Sequence, residues 1–438
     1  MGTSTRHHTM APHRSIDAMG LGVLLFAGLN LNGAFLLFFG TEALLSPLIL
    51  LITIVMCVRY ARASYVTASY ALFVSTIGSY LFFGTLAGLL ASSLQTRYIS
   101  SYGATLILVS AIYFWLASLR ETELSRILII LKNILFISCI LVVFSDVLRP
   151  FQVAPEVPGL DAEQILQGVE SADRASGLFE NPNEAAMIAL YCIVLVAALP
   201  SRTPLVRIVQ GAVAVLALIM TFSKTGMLVL MLLTGLFLFT RRSFMALALS
   251  GLGIVTAFSA LWFVFNNDLL NLSWEQRERL SDVLNLAGGE FNTRSTTGRN
   301  VLFEFGFEKI KGNLPWGAGL GEFHAMEGGI RKISGGIELN EWLGIHNTYL
   351  MILGEAGVVP LLMLGAFLAS LLARGSHSSY RTIIIGFTIV LMADMLVGHH
   401  VLLLRFANVV IAVILALAAL PLRGLAVHRS RLRYSPST

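Results

Sequence analysis

Three basic side chains and one carboxylate stand out in an otherwise apolar chain: Lys224, Arg299, His346 and Glu355. Lys224 lies in TFSKTG and Arg299 in STTGRNVLFEF. His346 opens HNTYLMILGEAG, with Glu355 nine residues on. Fixed cations such as the first two stabilise negative charge on a departing phosphate, and one such contact is worth ~3–4 kcal/mol. A neutral histidine, with an ordinary pKa near ~6.5, accepts a proton from an attacking hydroxyl. Together the three basic residues could form a cationic pocket at the outer leaflet. Each residue also has a plainer reading. The lysine could snorkel from a helix end, the arginine could sit on a solvated helix start, and the histidine could cap a helix with Asn347 or Thr348. Glu355 lies about two and a half turns beyond His346, too far for contact along one helix. It must face protein or a water-filled cavity. No Asp-x-Asp and no His–carboxylate cluster suggests a metal, and no cofactor is expected.

The elements that would carry these residues are membrane helices. Of the 438 residues, 56% are hydrophobic and 13% charged, against about 25% charged in soluble domains. Mean hydropathy is +0.78. Apolar runs long enough to cross a bilayer recur. They predict an all-α polytopic protein with about twelve spans, at residues 17–39, 44–60, 66–92, 98–119, 126–147, 183–200, 205–222, 225–240, 244–266, 347–373, 381–398 and 401–422. Residues 1–16 read as a cytoplasmic tail and 423–438 as another. Cys57, Cys139 and Cys192 lie inside apolar runs and read as small core residues. The net charge of +5 sets orientation rather than implying nucleic acid.

Charge fixes the sidedness. The even-numbered connections carry Arg59 and Arg62, Arg120 and Arg126, Arg202 and Arg207, Arg241 and Arg242, then Arg374 and Arg381. The positive-inside rule makes these cytoplasmic, with both termini. Two long connections then face outward: an acidic one at 148–182, and one at 267–346 that holds Arg299 and ends at His346. Loops of such length usually carry function. Within the larger loop, residues 273–284 are helix-compatible, and Phe303, Phe307 and Ile310 share a face of a short surface helix. GNLPWGAGLGEF, residues 312–323, reads as a turn-rich element with a buried aromatic. His399, His400 and Arg405 form a second outer cluster that reads as interfacial. Asp394, inside the eleventh span, could pair with one of them.

Taken together, SGLFENPNEAAMIALY (176–191), FSKTG (222–226), GRNVLFEFGFEKIKGNLPWGAGLGEF (298–323) and HNTYLMILGEAGVVPLLML (346–364) resemble the O-antigen ligase and polymerase superfamily of bacterial membrane glycosyltransferases. The resemblance implies a GT-C-like fold and an inner-membrane, periplasm-facing, metal-independent inverting transfer. The donor would be a glycan on undecaprenyl pyrophosphate, and the acceptor a saccharide on a lipid-linked repeat unit or on lipid A-core, with a chain-length regulator as a further partner. Arg299 and His346 match the family's arginine and histidine. Lys224 stands where many members have arginine, which keeps the charge but loses the bidentate fork. Glu355, Asn347, Asn183, Trp316 and Arg405 are expected at the substrate. A repeat-unit polymerase is slightly favoured over a ligase. A lipid-sugar flippase is the alternative from another class; it should show two related halves with matching broken helices, and the sequence has no such symmetry.

Overall fold

The computed structural model describes residues 17–39, 45–61, 66–151, 174–179, 181–240, 276–278, 281, 299–324, 331–334, 337–340, 344–376 and 378–433. The expected span at 244–266, residues 152–173 of the acidic loop and the N-terminal tail lie outside them. The chain is helical. In order come α1 (Ala18–Gly28), α2 (Leu31–Phe39), α3 (Leu45–Tyr60), α4 (Ala68–Leu90), α5 (Thr96–Ser118), α6 (Glu121–Val143) and the single turn α7 (Ser145–Leu148). Then follow α8 (Pro182–Ala198), α9 (Pro204–Met220), α10 (Lys224–Thr240), α11 (Arg299–Asn313), α12 (Thr348–Ala356), α13 (Val358–Gly375), α14 (Arg381–Val397) and α15 (Arg405–Arg433). Among the described residues, one antiparallel hairpin, β1 (Arg331–Ser334) and β2 (Ile337–Asn340), interrupts the helices.

Among the described residues, four helices are long and apolar enough to cross a membrane: α4, α5, α6 and α13. A fifth span forms if α1 and α2, bent by 54°, count as one. Five shorter apolar helices accompany them. The continuous spans expected at 17–39 and 347–373 are each broken. Asn30 takes a left-handed φ of 46° between α1 and α2, and its Nδ2 donates to Leu178 O at 3.0 Å. Gly357, with φ 84°, separates α12 from α13. Hydropathy cannot register either break, because the residues around both remain apolar.

α8 is buried on all sides, with 12 of its 17 residues in the interior, and it packs against α6, α9, α10 and α14. A helix apolar all round belongs at the centre of a bundle. Small residues set its distances. A side chain at Gly386 would meet Val194 at 2.8 Å, and one at Gly226 would meet Ala186 at 3.0 Å. In hydrocarbon, helices associate through such close packing rather than through hydrophobic burial.

Candidate functional site

The turn-rich segment after α11 fills the break beside Gly357. Because α12 stops at Ala356, its last carbonyls lack helical donors. Ala318 N donates to Gly354 O (2.7 Å) and Gly319 N to Glu355 O (3.0 Å), while Val358 N, in the first turn of α13, donates to Pro315 O (3.1 Å). Both broken ends are thus satisfied by residues 315–319. The fit requires glycine: Gly317 has φ 92°, and a Cβ there would lie 2.5 Å from the Glu355 backbone. The aromatic buried in this segment is Phe323, not Trp316. Phe323 is fully enclosed, whereas Trp316 is 64% exposed and stacks on Phe83.

Glu355 ties this segment to the bundle. Its carboxylate, fully buried, accepts from the Tyr80 hydroxyl and from Phe323 N at 2.8 Å. His324 Nδ1 lies 2.9 Å from the same oxygen. Phe323 O in turn accepts from Ile345 N at 3.1 Å, and His346 is the next residue. The backbone of His346 therefore hangs from Glu355 through Phe323. Its φ of 48° is uncommon for a residue with a β-carbon and needs surroundings that impose it. Asn347 then caps α12, with Oδ1 accepting from Leu350 N at 3.0 Å. Its Nδ2 donates to Leu396 O.

His346 does not stand apart from the His399–His400 pair. The His346 and His399 rings meet edge-on with centroids 4.9 Å apart, and His399 reaches His400 at 4.9 Å and His324 at 5.9 Å. His399 lies against the turn at Gly344. Burial, followed by the neighbouring His400, His346 and His324, pushes its pKa down to about 2. A neutral ring beside His346 adds no charge that would oppose protonation there. Among the described residues, no three His, Cys, Asp or Glu side chains converge as a metal site.

A cavity of about 60 Å³ opens beside these rings, lined by Asn181, Asn183, Glu184, His346, Asp394 and His400, with Val397, Gly398, Val401 and Leu404. His400 Nε2 lies 3.4 Å from Glu184 Oε1. Asp394 Oδ2 is buried with no hydrogen-bond partner among the described residues. The cavity is far smaller than the ~300–1,000 Å³ of a typical ligand pocket. It admits a hydroxyl or a few waters, not a whole sugar.

Arg174, which the sequence did not single out, connects this cavity to Lys224. Buried at 6% exposure, it donates from Nε to Thr221 O at 2.8 Å and from Nη2 to Asn183 Oδ1 at 3.0 Å. Thr221 starts the turn, left-handed at Phe222 (φ 47°), that delivers Lys224 to the first residue of α10. Ser223 Oγ accepts from Gly226 N and caps that helix. A lysine in a first helical turn runs against the usual preference for acids there, so helix and side chain both favour a nearby anion. Only the backbone of Arg299 is described. It starts α11, which packs on α12, the helix that follows His346. Arg405 points elsewhere: Nη2 donates to Ser46 Oγ at 2.9 Å and the guanidinium covers Phe26.

His346 and Asn183 thus share one cavity, the turn that precedes Lys224 is joined to Asn183 through Arg174, and Trp316, Asn347 and Arg405 do not line the cavity. The missed residues had faint signals. Apart from Arg149 at its start, Arg174 is the one base in the acidic stretch 148–182, and His324 closes the glycine-rich motif.

The apolar helices and the polar site at one end of them suggest a multi-pass membrane protein. Residues 209–365 match the O-antigen ligase family model, which supports the O-antigen ligase and polymerase superfamily as the chain's family. The match includes Lys224, Arg299, His346 and Glu355. No curated protein matches the chain.

Proposed function

We propose that the chain transfers a glycan from undecaprenyl pyrophosphate to a saccharide hydroxyl at the periplasmic face of the inner membrane, without a metal. The observation that carries this reading is the cavity shared by His346 and Asn183, hydrogen-bonded through Arg174 to the Lys224 turn. The acceptor hydroxyl enters beside His346, and its oxygen attacks the anomeric carbon. The bond from that carbon to the phosphate oxygen breaks, and the electron pair leaves on the pyrophosphate. His346 takes the hydroxyl proton. Lys224, the N-terminus of α10 and Arg299 stabilise the new negative charge. One displacement inverts the anomeric centre, and the polyprenyl pyrophosphate is released.

A repeat-unit polymerase remains slightly favoured over a ligase, on the lysine at 224 and the FENPNE motif. The flippase reading gains little from the two broken helices. Each break is closed by protein, at Leu178 and at Pro315, rather than lining a path. The test is the purified protein in nanodiscs with a lipid-linked oligosaccharide donor and a saccharide acceptor. Lengthened glycan and free polyprenyl pyrophosphate should accumulate, and Arg299→Ala should lower turnover by roughly 10²–10³-fold. Full activity of that variant would reduce the cations to ordinary interfacial charges.

A further inference from the structure

A second, larger cleft opens on the other side of the turn at 401–405. It measures about 480 Å³, within the ~300–1,000 Å³ range of ligand sites. Leu404 lines the His346 cavity, whereas Leu403 and Arg405 line this cleft. The two spaces therefore share a wall but not their contents. The cleft lies between one end of α3, one end of α5 and the start of α15.

Its polarity is graded. Ser46, Ser100, Ser101 and Arg405 stand at one end, while Leu50 and Leu108 line the depth beside Thr53 and Thr105, whose hydroxyls donate to Leu50 O and Leu402 O. From Ser46 to Thr53, or from Ser100 to Leu108, a helix rises about 10–12 Å. This is the profile of an amphiphile's site, with a head at the hydroxyls and a chain beyond. Among the described lining residues there is no aspartate or glutamate, and the cation is arginine. Ser46 Oγ, which accepts from Arg405, passes a hydrogen bond on to Asn32 Oδ1 at 2.9 Å. The guanidinium is thereby held in place, and its planar fork suits phosphate oxygens.

Asn408 supplies the second requirement. It lines the same cleft, one turn into α15, and is 1% exposed. Its Nδ2 reaches Thr105 Oγ1 at 3.5 Å, but Oδ1 has no hydrogen-bond partner among the described residues. A buried amide carbonyl calls for a donor. A ligand that fits both groups offers a phosphate to Arg405, a hydroxyl to Asn408 and a hydrocarbon chain to the apolar depth.

We propose that this cleft binds a phospholipid with a hydroxylated head, phosphatidylglycerol being the simplest, and that the bound lipid braces the 401–405 turn. The site is independent of the glycan-transfer reading and survives if that reading fails. The test is native mass spectrometry of the full chain released from nanodiscs of equal phosphatidylglycerol and phosphatidylcholine. The chain should retain phosphatidylglycerol by about tenfold over phosphatidylcholine, the size of one charge-assisted hydrogen bond. Arg405→Gln should abolish the preference and Arg405→Lys should keep part of it. Ala104→Trp should abolish it by filling the depth without changing charge, whereas Leu362→Trp, on the exposed face of α13, should leave it intact. Inorganic phosphate should not displace the lipid. Equal retention of the two lipids by the unmodified chain would overturn the proposal, as would a preference that survives both Arg405→Gln and Ala104→Trp.

Discussion

Lys224 and His399 show how differently two basic residues at the same end of one bundle can be used. Lys224 opens α10 where an acid is usual, so its charge adds to the helix N-terminus in favouring an anion. In the transfer assay Lys224→Arg should keep most of the activity, because the charge persists and gains a fork. Lys224→Ala should lose roughly 10²-fold or more; equal rates in the two variants would separate Lys224 from the pyrophosphate. His399 is held neutral, with its pKa near 2 in the folded chain and about 6.5 when unfolded. Below that unfolded value only the unfolded chain takes up the proton, so stability falls as the pH drops below about 6.5 and is unaffected above it. The loss should approach about 1.4 kcal/mol per pH unit at most. Thermal unfolding in detergent at pH 7 and pH 5 should show it, and His399→Gln should flatten the difference. An unchanged acid response in that variant would assign it to other groups. The sequence exposed Lys224, Arg299, His346 and Glu355 because ionisable residues are conspicuous in apolar surroundings. It could not show that His399 touches His346, since 53 residues of chain separate them and only the fold closes that gap.

Among the elements, the break at Gly357 matters most. Hydropathy averages over it, so residues 347–373 look like one helix, and only the hydrogen-bond needs of the two broken ends explain why the glycine-rich segment 315–319 lies there. The same geometry answers why Glu355 sits so deep. It cannot reach His346 along its own helix, but it holds Phe323, which holds Ile345. Gly317 is the sensitive point. Gly317→Ala adds a β-carbon at positive φ within 2.5 Å of backbone, and about 2 kcal/mol or more of stability should be lost. A melting curve for the variant, read beside transfer activity, checks this. Activity should fall further than stability alone explains, because the displaced segment carries Phe323; an unperturbed variant would mean that the plug is not what sets the His346 backbone. The long apolar helices α4, α5, α6 and α13 were readable from composition, whereas the kinks depend on contacts from Leu178 and Pro315 that are remote in sequence.

For the molecule as a whole, orientation and reaction are linked, since every proposed role places the polar end of the bundle outside. With the three native cysteines replaced, a cysteine probe at Asp161 or Glu290 should be labelled from outside intact cells and one at Arg241 should not. Labelling at Arg241 would invert the arrangement and with it the periplasmic site. The account rests most heavily on His346 as the group that takes the acceptor's proton. The most direct measurement compares His346→Ala with the unmodified protein in nanodiscs, following donor binding and glycan transfer in the same preparation. A base acts on the attacking hydroxyl and does little to hold the lipid. The variant should therefore bind the lipid-linked donor with nearly unchanged affinity and transfer nothing measurable, whereas normal turnover in His346→Ala would contradict the account.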